Sequence, residues 1–217
     1  MSGSTQRRYG VIDQVLIQVD RALRTVCGQP PVSGRANPAD GHLHPALDEE
    51  RSRETARLMR IDHSGEVAAQ ALYHGQALTA RLPQVREKME QAALEENDHL
   101  AWCAQRIGEL GGRTSALNPL WYAGSFAIGA CAGWLGDKWS LGFIVETERQ
   151  VIDHLNGHIS RLSPEDTRSC AILEQMREDE LHHGTQAQEA GGAPLPTPVK
   201  YLMRLTSRVM TGTAYYV

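Results

Sequence analysis

One short pattern, stated twice, limits what this chain can fold into. Glu66 is followed 30 residues later by Glu96-Asn97-Asp98-His99, and Glu146 is followed 34 residues later by Glu180-Leu181-His182-His183. On a helix, residues three apart share a face. One Glu plus one Glu-x-x-His, given twice, is the ligand set of a carboxylate-bridged pair of iron or manganese ions in a four-helix bundle. The chain is therefore read as all-α, with the four ligand-bearing segments as the bundle.

The surrounding spacing makes the pattern specific, because two Glu-x-x-His words alone lie within chance. Leu173, Met176, Glu180, His183 and Ala187 follow the 3-4-3-4 seam of a helix facing a core. Met89, Ala92, Glu96, His99, Cys103 and Leu110 do the same. Carboxylates on such stripes cost several kcal/mol unless they are paired or hold a metal. A bound metal accounts for all of them together.

The lone glutamates meet a distance test. Pro83 lies 17 residues after Glu66, and Pro164 lies 18 after Glu146, in the similar phrases Arg81-Leu82-Pro83 and Arg161-Leu162-Ser163-Pro164. Proline suits the first position of a helix. Ser163 with Glu165 and Asp166 resembles a cap followed by acids suited to the helix dipole. Each half thus reads as a helical hairpin whose lone Glu returns level with its Glu-x-x-His. Glu148 competes with Glu146, whose own face also carries Gln150 and Asp153. His182 falls off the seam, and His63, His74, His154 and His158 read as surface or supporting groups. Asp62 and Asp153 are candidates to support the metal-binding imidazoles.

Composition fits a cytoplasmic type of helical protein. A net charge of −4 gives nucleic-acid binding no electrostatic support. Cys27, Cys103, Cys131 and Cys170 lack Cys-x-x-Cys spacing and read as reduced thiols. No strand precedes a G-x-G-x-x-G turn, so no built-in nicotinamide or flavin site is expected. The N-terminus does not read as a secretory signal. Ile12, Val15, Leu16, Val19, Leu23 and Val26 form one apolar helical stripe. Gly28, Pro30, Pro31, Gly34, Pro38 and Gly41 then mark a linker, expected to be partly mobile. The expected units are an N-terminal helix and linker over 1–49, the bundle over 50–192, and a basic amphipathic helix over 193–217.

The crossover between the hairpins carries no charge from Thr114 to Gly136. Its apolar stretch, Leu120 to Leu135, is short for a bilayer span of about 20 residues. Ser125, Gly129 and Gly133 form a small-residue stripe that permits close helix approach. Two readings stand: a buried core helix, or a helix dipping into a membrane interface with Trp121, Tyr122, Trp134 and Trp139 near the headgroups. In the tail, Lys200, Arg204 and Arg208 run beside Val199, Leu202, Met203, Val209 and Met210, a basic amphipathic pattern suited to anionic lipid. Together these favour peripheral association over spanning.

Arg60-Ile61-Asp62-His63-Ser64-Gly65-Glu66, Glu96-Asn97-Asp98-His99, Val145-Glu146-Thr147 and Asp179-Glu180-Leu181-His182-His183 closely resemble the demethoxyubiquinone hydroxylase family of ubiquinone biosynthesis, over about residues 50–190. The resemblance implies a ferritin-like bundle of duplicated hairpins with accessory N-terminal, crossover and C-terminal helices, of the bacterial type. Position by position it implies Glu66, Glu96, His99, Glu146, Glu180 and His183 as ligands of two iron ions, with Glu96 and Glu180 bridging. It further implies a monooxygenase that uses O2 to hydroxylate the ring of a polyprenylated demethoxyquinol, with NADH as ultimate reductant. The setting it implies is the cytoplasmic face of the bacterial membrane, with other proteins of the same biosynthesis or further copies of the chain as partners. The rival readings are a ferroxidase or peroxide scavenger, a di-iron hydroxylase of another substrate such as a tRNA nucleoside, and a non-catalytic quinone- or lipid-binding bundle. Iron and manganese are not distinguished by the residues.

Overall fold

The computed structural model describes residues 10–28, 30–44 and 46–217. The first nine residues of the unit expected over 1–49 lie outside the described residues. Among those described, seven α-helices and one short 3-10 turn, Pro38–Gly41, make up the regular structure. The helices are α1 (Val11–Cys27), α2 (Glu49–Thr79), α3 (Pro83–Glu109), α4 (Asn118–Leu135), α5 (Asp137–Ile159), α6 (Thr167–Glu189) and α7 (Thr197–Ala214).

Helices α2, α3, α5 and α6 form the bundle as two hairpins. Asp48 caps α2 by accepting from the Arg51 amide, and Pro83 opens α3 as its phrase predicts. The second hairpin differs in detail from the expected Ser163–Pro164 start. α6 begins at Thr167, and its cap is Asp166, whose carboxylate accepts from the Ser169 amide. Pro164 and Glu165 make the preceding turn. At the opposite end, the Arg81 and Leu82 amides donate to Asp137 at 3.0 and 2.9 Å, tying the first hairpin's turn to the start of α5.

Two apolar layers fill the bundle, with a polar belt between them. Tyr73, Ala77, Val85, Met89, Leu141 and Ile144 belong to one layer. Met59, Trp102, Ile107, Leu155, Leu173 and Met176 belong to the other. The seams read from sequence on α3 and α6 both face this core.

Helix α4 is packed on one face and exposed on the other, so it is not a fully buried core helix. One face is buried against α2, where Gly129 lies on the Leu72 backbone and Gly75 lies on the backbone of Phe126 and Ala130. The other face leaves Leu120, Ile128, Trp134 and Leu135 exposed. A Cβ at position 129 would meet main chain, which cannot yield as a side chain can. Gly129→Ala should therefore cost about 2–3 kcal/mol through overpacking. Gly124→Ala, where a methyl meets open space, should be neutral or slightly stabilising. Denaturant midpoints of the two variants check this.

The segment before α2, read from sequence as a partly mobile linker, is hydrogen-bonded to the bundle over residues 31–35. The Ser33 amide donates to Asp98 at 2.8 Å, and the Arg35 guanidinium donates to both Asp98 and Asp179 at 2.8 Å. The Asn97 amide reaches the Pro31 carbonyl at 2.8 Å. Arg35 also lies over the Trp102 ring. Residues 31–35 thus run as a strap across α3 and α6.

Helix α7 runs along the groove between α2 and α5. Near its start Lys200 lies 3.4 Å from Glu146 of α5, and near its end Tyr215 donates to Glu54 of α2. Its outer face exposes Tyr201, Leu202, Leu205 and Val209. Among the described residues, no helix is long and apolar enough to cross a membrane.

Candidate metal centre

Between the two apolar layers, four helices bring six ligand groups together. Glu66 comes from α2, Glu96 and His99 from α3, Glu148 from α5, and Glu180 and His183 from α6. Their potential ligand atoms fall into two groups, each within 4.8 Å: Glu66, Glu96, His99 and Glu180, and then Glu96, Glu148, Glu180 and His183. Glu96 and Glu180 belong to both groups, so each could be shared between two ions. None of the six residues is more than 5% exposed.

The fifth position differs from the sequence reading. Glu148, not Glu146, enters the cluster. Two residues on a helix are separated by about 200°, so the two glutamates face opposite ways. Glu146 instead accepts from Arg149 and Gln150 at 2.6 and 2.8 Å and lies near Lys200. Burial alone would raise its pKa, but these hydrogen bonds and cations hold it down at about 2. It is a carboxylate already satisfied by cations. The signal for Glu148 was present: Leu141, Ile144, Glu148, Val151 and Leu155 repeat the 3-4-3-4 seam used elsewhere.

The donor set fits a pair of divalent ions. One oxygen each of Glu66, Glu96, Glu148 and Glu180 is buried without a hydrogen-bond partner. Those of Glu66, Glu96 and Glu180 meet only an imidazole Nδ1, at 3.3 to 3.5 Å. Both imidazoles turn Nδ1 toward the carboxylates. Burial, together with the neighbouring Glu180, pushes Glu96 and Glu148 well above the usual carboxylate range. Burial would lower His183, but Glu180 and Glu95 raise it to about 11. His99 rises likewise because Asp179, Glu180, Glu66 and Glu96 outweigh its burial. Like charges collected in a dry core demand protons or cations. Hard carboxylate oxygens and imidazole nitrogens suit iron.

Supporting groups were placed wrongly by sequence reasoning. Nε2 of His99 pairs with Asp179 at 2.8 Å, and Nε2 of His183 pairs with Glu95 at 2.7 Å. Each acid immediately precedes the shared glutamate of its own helix and steadies the histidine of the other half. The pairing is reciprocal, as the duplicated pattern requires. Asp62 instead binds His158 at 2.7 Å, and Asp153 is an exposed partner of Arg149. His63, His74 and His158, read as surface or supporting groups, are buried and outside the cluster, whereas His182 points outward as expected. Asp179→Asn or Glu95→Gln should lower ferrous affinity about 10–100-fold, measured by competition with a chelator.

Tyr73 of α2 was also missed. It is buried and donates its hydroxyl to Glu148, leaving the other carboxylate oxygen turned to the cluster. Burial and the neighbouring carboxylates raise its pKa, so it stays a proton donor.

The family described as ubiquinone biosynthesis protein COQ7 matches residues 53–214. A 3-demethoxyubiquinol 3-hydroxylase of Nitrosococcus oceani is 58% identical over 97% of this chain and 99% of that protein. Proteins of the same description from Ralstonia pickettii and Cupriavidus taiwanensis are 55% and 58% identical, each over 95% of this chain and 100% of their own length. Among solved structures, a dodecameric thioferritin, the bacterioferritin-related protein of Bacteroides fragilis, matches with a TM-score of 0.55. It is 20% identical and covers 74% of this chain and 90% of its own. That likeness shows the ferritin-like fold.

Proposed function

The chain belongs to the ubiquinone biosynthesis protein COQ7 family, and from that premise we propose that it hydroxylates the aromatic ring of a demethoxyubiquinol with O2. The observation that carries this reading is the pair of buried ligand groups sharing Glu96 and Glu180. Glu66, Glu96, His99, Glu148, Glu180 and His183 hold two iron ions per chain. When bound, the irons supply the electrons that activate O2. One oxygen atom enters the ring, and the other leaves as water with two electrons and two protons from a reductant.

The remaining residues fix geometry and exclude water. Asp179 and Glu95 hold the two imidazoles with Nδ1 turned toward the carboxylates that would share the metal. Tyr73 restrains Glu148. Met59, Leu173, Met176 and Ile144 close the centre from both ends. NADH is the ultimate electron donor in this proposal.

A polyprenylated substrate arrives from lipid. The exposed apolar faces of α4 and α7, with Leu16, Val19 and Leu23 of α1, support peripheral attachment to the cytoplasmic face of the membrane. The test is turnover with ¹⁸O2, NADH and a short-chain demethoxyquinone on iron-loaded protein. One ¹⁸O atom in the ring is the expected result. No label, even with chemically supplied electrons, would reject the reading in favour of a ferroxidase.

A further inference from the structure

A narrow crevice between α2 and α5 is lined in part by Glu148 of the metal cluster. Leu72, Phe143 and Thr147, all half-buried, form its mouth. Tyr73 and Glu148 lie within it, and Gln76 stands one turn further along α2. α7 runs from Lys200 beside Glu146 of α5 to Tyr215 beside Glu54 of α2, whereas Gln76 lies level with Ser140 of α5.

Gln76 is unusual there. It is 1% exposed, and its Oε1 has no hydrogen-bond partner. Its amide nitrogen donates to the Ser140 carbonyl at 2.9 Å. A carbonyl can only accept, which fixes the amide's orientation and leaves the acceptor end free. A buried acceptor calls for a donor. A ring hydroxyl of a hydroquinone supplies one, and the carbonyl of the oxidised quinone does not.

The surroundings fit a prenylated ring. Gly133 of α4 packs on Gln76 and Thr79, which puts the exposed Trp134 and Leu135 at the same end of the bundle as Gln76. Leu78 and Leu82 are exposed at that end as well. A tail leaving the crevice there would meet apolar surface. The free volume is about 10 Å³, so a ring would enter only where Leu72, Phe143 and Thr147 at the mouth move aside.

We infer that this crevice is the ring-binding slot and that Gln76 makes it selective for the reduced quinol over the quinone. The inference rests on the proposed function and adds the oxidation state that the site reads. It is tested by anaerobic equilibrium dialysis of diferrous protein against a short-chain demethoxy-hydroquinone and, separately, its quinone.

Wild-type protein should bind the hydroquinone at least about tenfold more tightly, the scale of one buried hydrogen bond. Gln76→Met, similar in volume but lacking the acceptor, should weaken hydroquinone binding about tenfold and leave quinone binding unchanged. Thr147→Trp, at the half-buried mouth, should weaken both. Iron content and circular dichroism verify that each variant is folded and loaded. An unaltered preference in Gln76→Met, or wild-type binding of both compounds by Thr147→Trp, overturns the slot while leaving the hydroxylase reading intact. Wild-type protein that binds neither compound rejects both.

Discussion

Glu148→Ala is expected to abolish ring hydroxylation, by on the order of a thousandfold or more, because a metal ligand supplies several kcal/mol to the reaction. The same variant should hold less than two irons per chain. Glu146→Ala, two residues away, should retain both irons and turn over within about threefold of wild type. Glu146 is buried but bound to the half-exposed Arg149 and to Gln150, and losing those bonds should cost about 1–3 kcal/mol of stability. Metal analysis and turnover on the two purified variants decide the assignment. Full occupancy in Glu148→Ala, or iron loss in Glu146→Ala, would restore the reading from spacing alone.

The largest stability effect is expected away from the metal. Arg106 of α3 is buried and donates to Asp166 and to the Ser169 hydroxyl at 2.8 Å, and to Glu109 at 2.9 Å. Asp166 is fully buried and also caps α6. One guanidinium therefore joins the first hairpin to the start of the second. Arg168 strengthens the same knot by binding Glu109 and the carbonyls of Ala39 and His42. Burial works to raise the Glu109 pKa, but hydrogen bonds from Arg168 and Arg106 hold it at about 2. Arg106→Ala leaves the buried Asp166 carboxylate without its cationic partner. Breaking a buried pair from one side costs about 3–5 kcal/mol, a fall in Tm of roughly 6–20 °C for a chain of this size. Thermal unfolding of the iron-loaded protein measures it. A shift under 2 °C would mean that water reaches Asp166.

Much of the fold was legible because hydrophobic periodicity survives the change from chain to helix. The stripes through Glu96 and Glu180 predicted buried faces, and α3 and α6 bury them. Pro83 marked a true helix start. Pro164 did not, because Asp166 offers a better cap two residues on and is itself anchored by Arg106. The contacts of the linker were not legible for a related reason. Proline and glycine content reports local conformational preference, whereas Asp98 and Asp179, more than 60 residues away, decide where Ser33 and Arg35 are held.

The centre was nearly legible. Five of the six residues that meet were named from the repeated pattern, and the sixth was weighed and passed over. Counting distance along a hairpin cannot separate Glu146 from Glu148, since two residues shift the height by only about 3 Å. Direction around the helix separates them, and the seam Leu141, Ile144, Glu148, Val151 and Leu155 carries it. Asp179 and Glu95 could not be assigned as supports from sequence, because each serves the histidine of the opposite hairpin. Pairing across the bundle depends on how far the two hairpins slide past one another. No local pattern records that displacement.

What the amino-acid sequence determined by itself was helical class, duplication and the types of ligand, because all three follow from spacing within single helices. Tertiary structure alone decided which glutamate of α5 turns inward, which acids steady the imidazoles, and where an unpartnered acceptor is left at Gln76. Those depend on the rotation and register of helices brought together by packing, where groups distant in sequence compete for the same hydrogen bonds and the same buried charge.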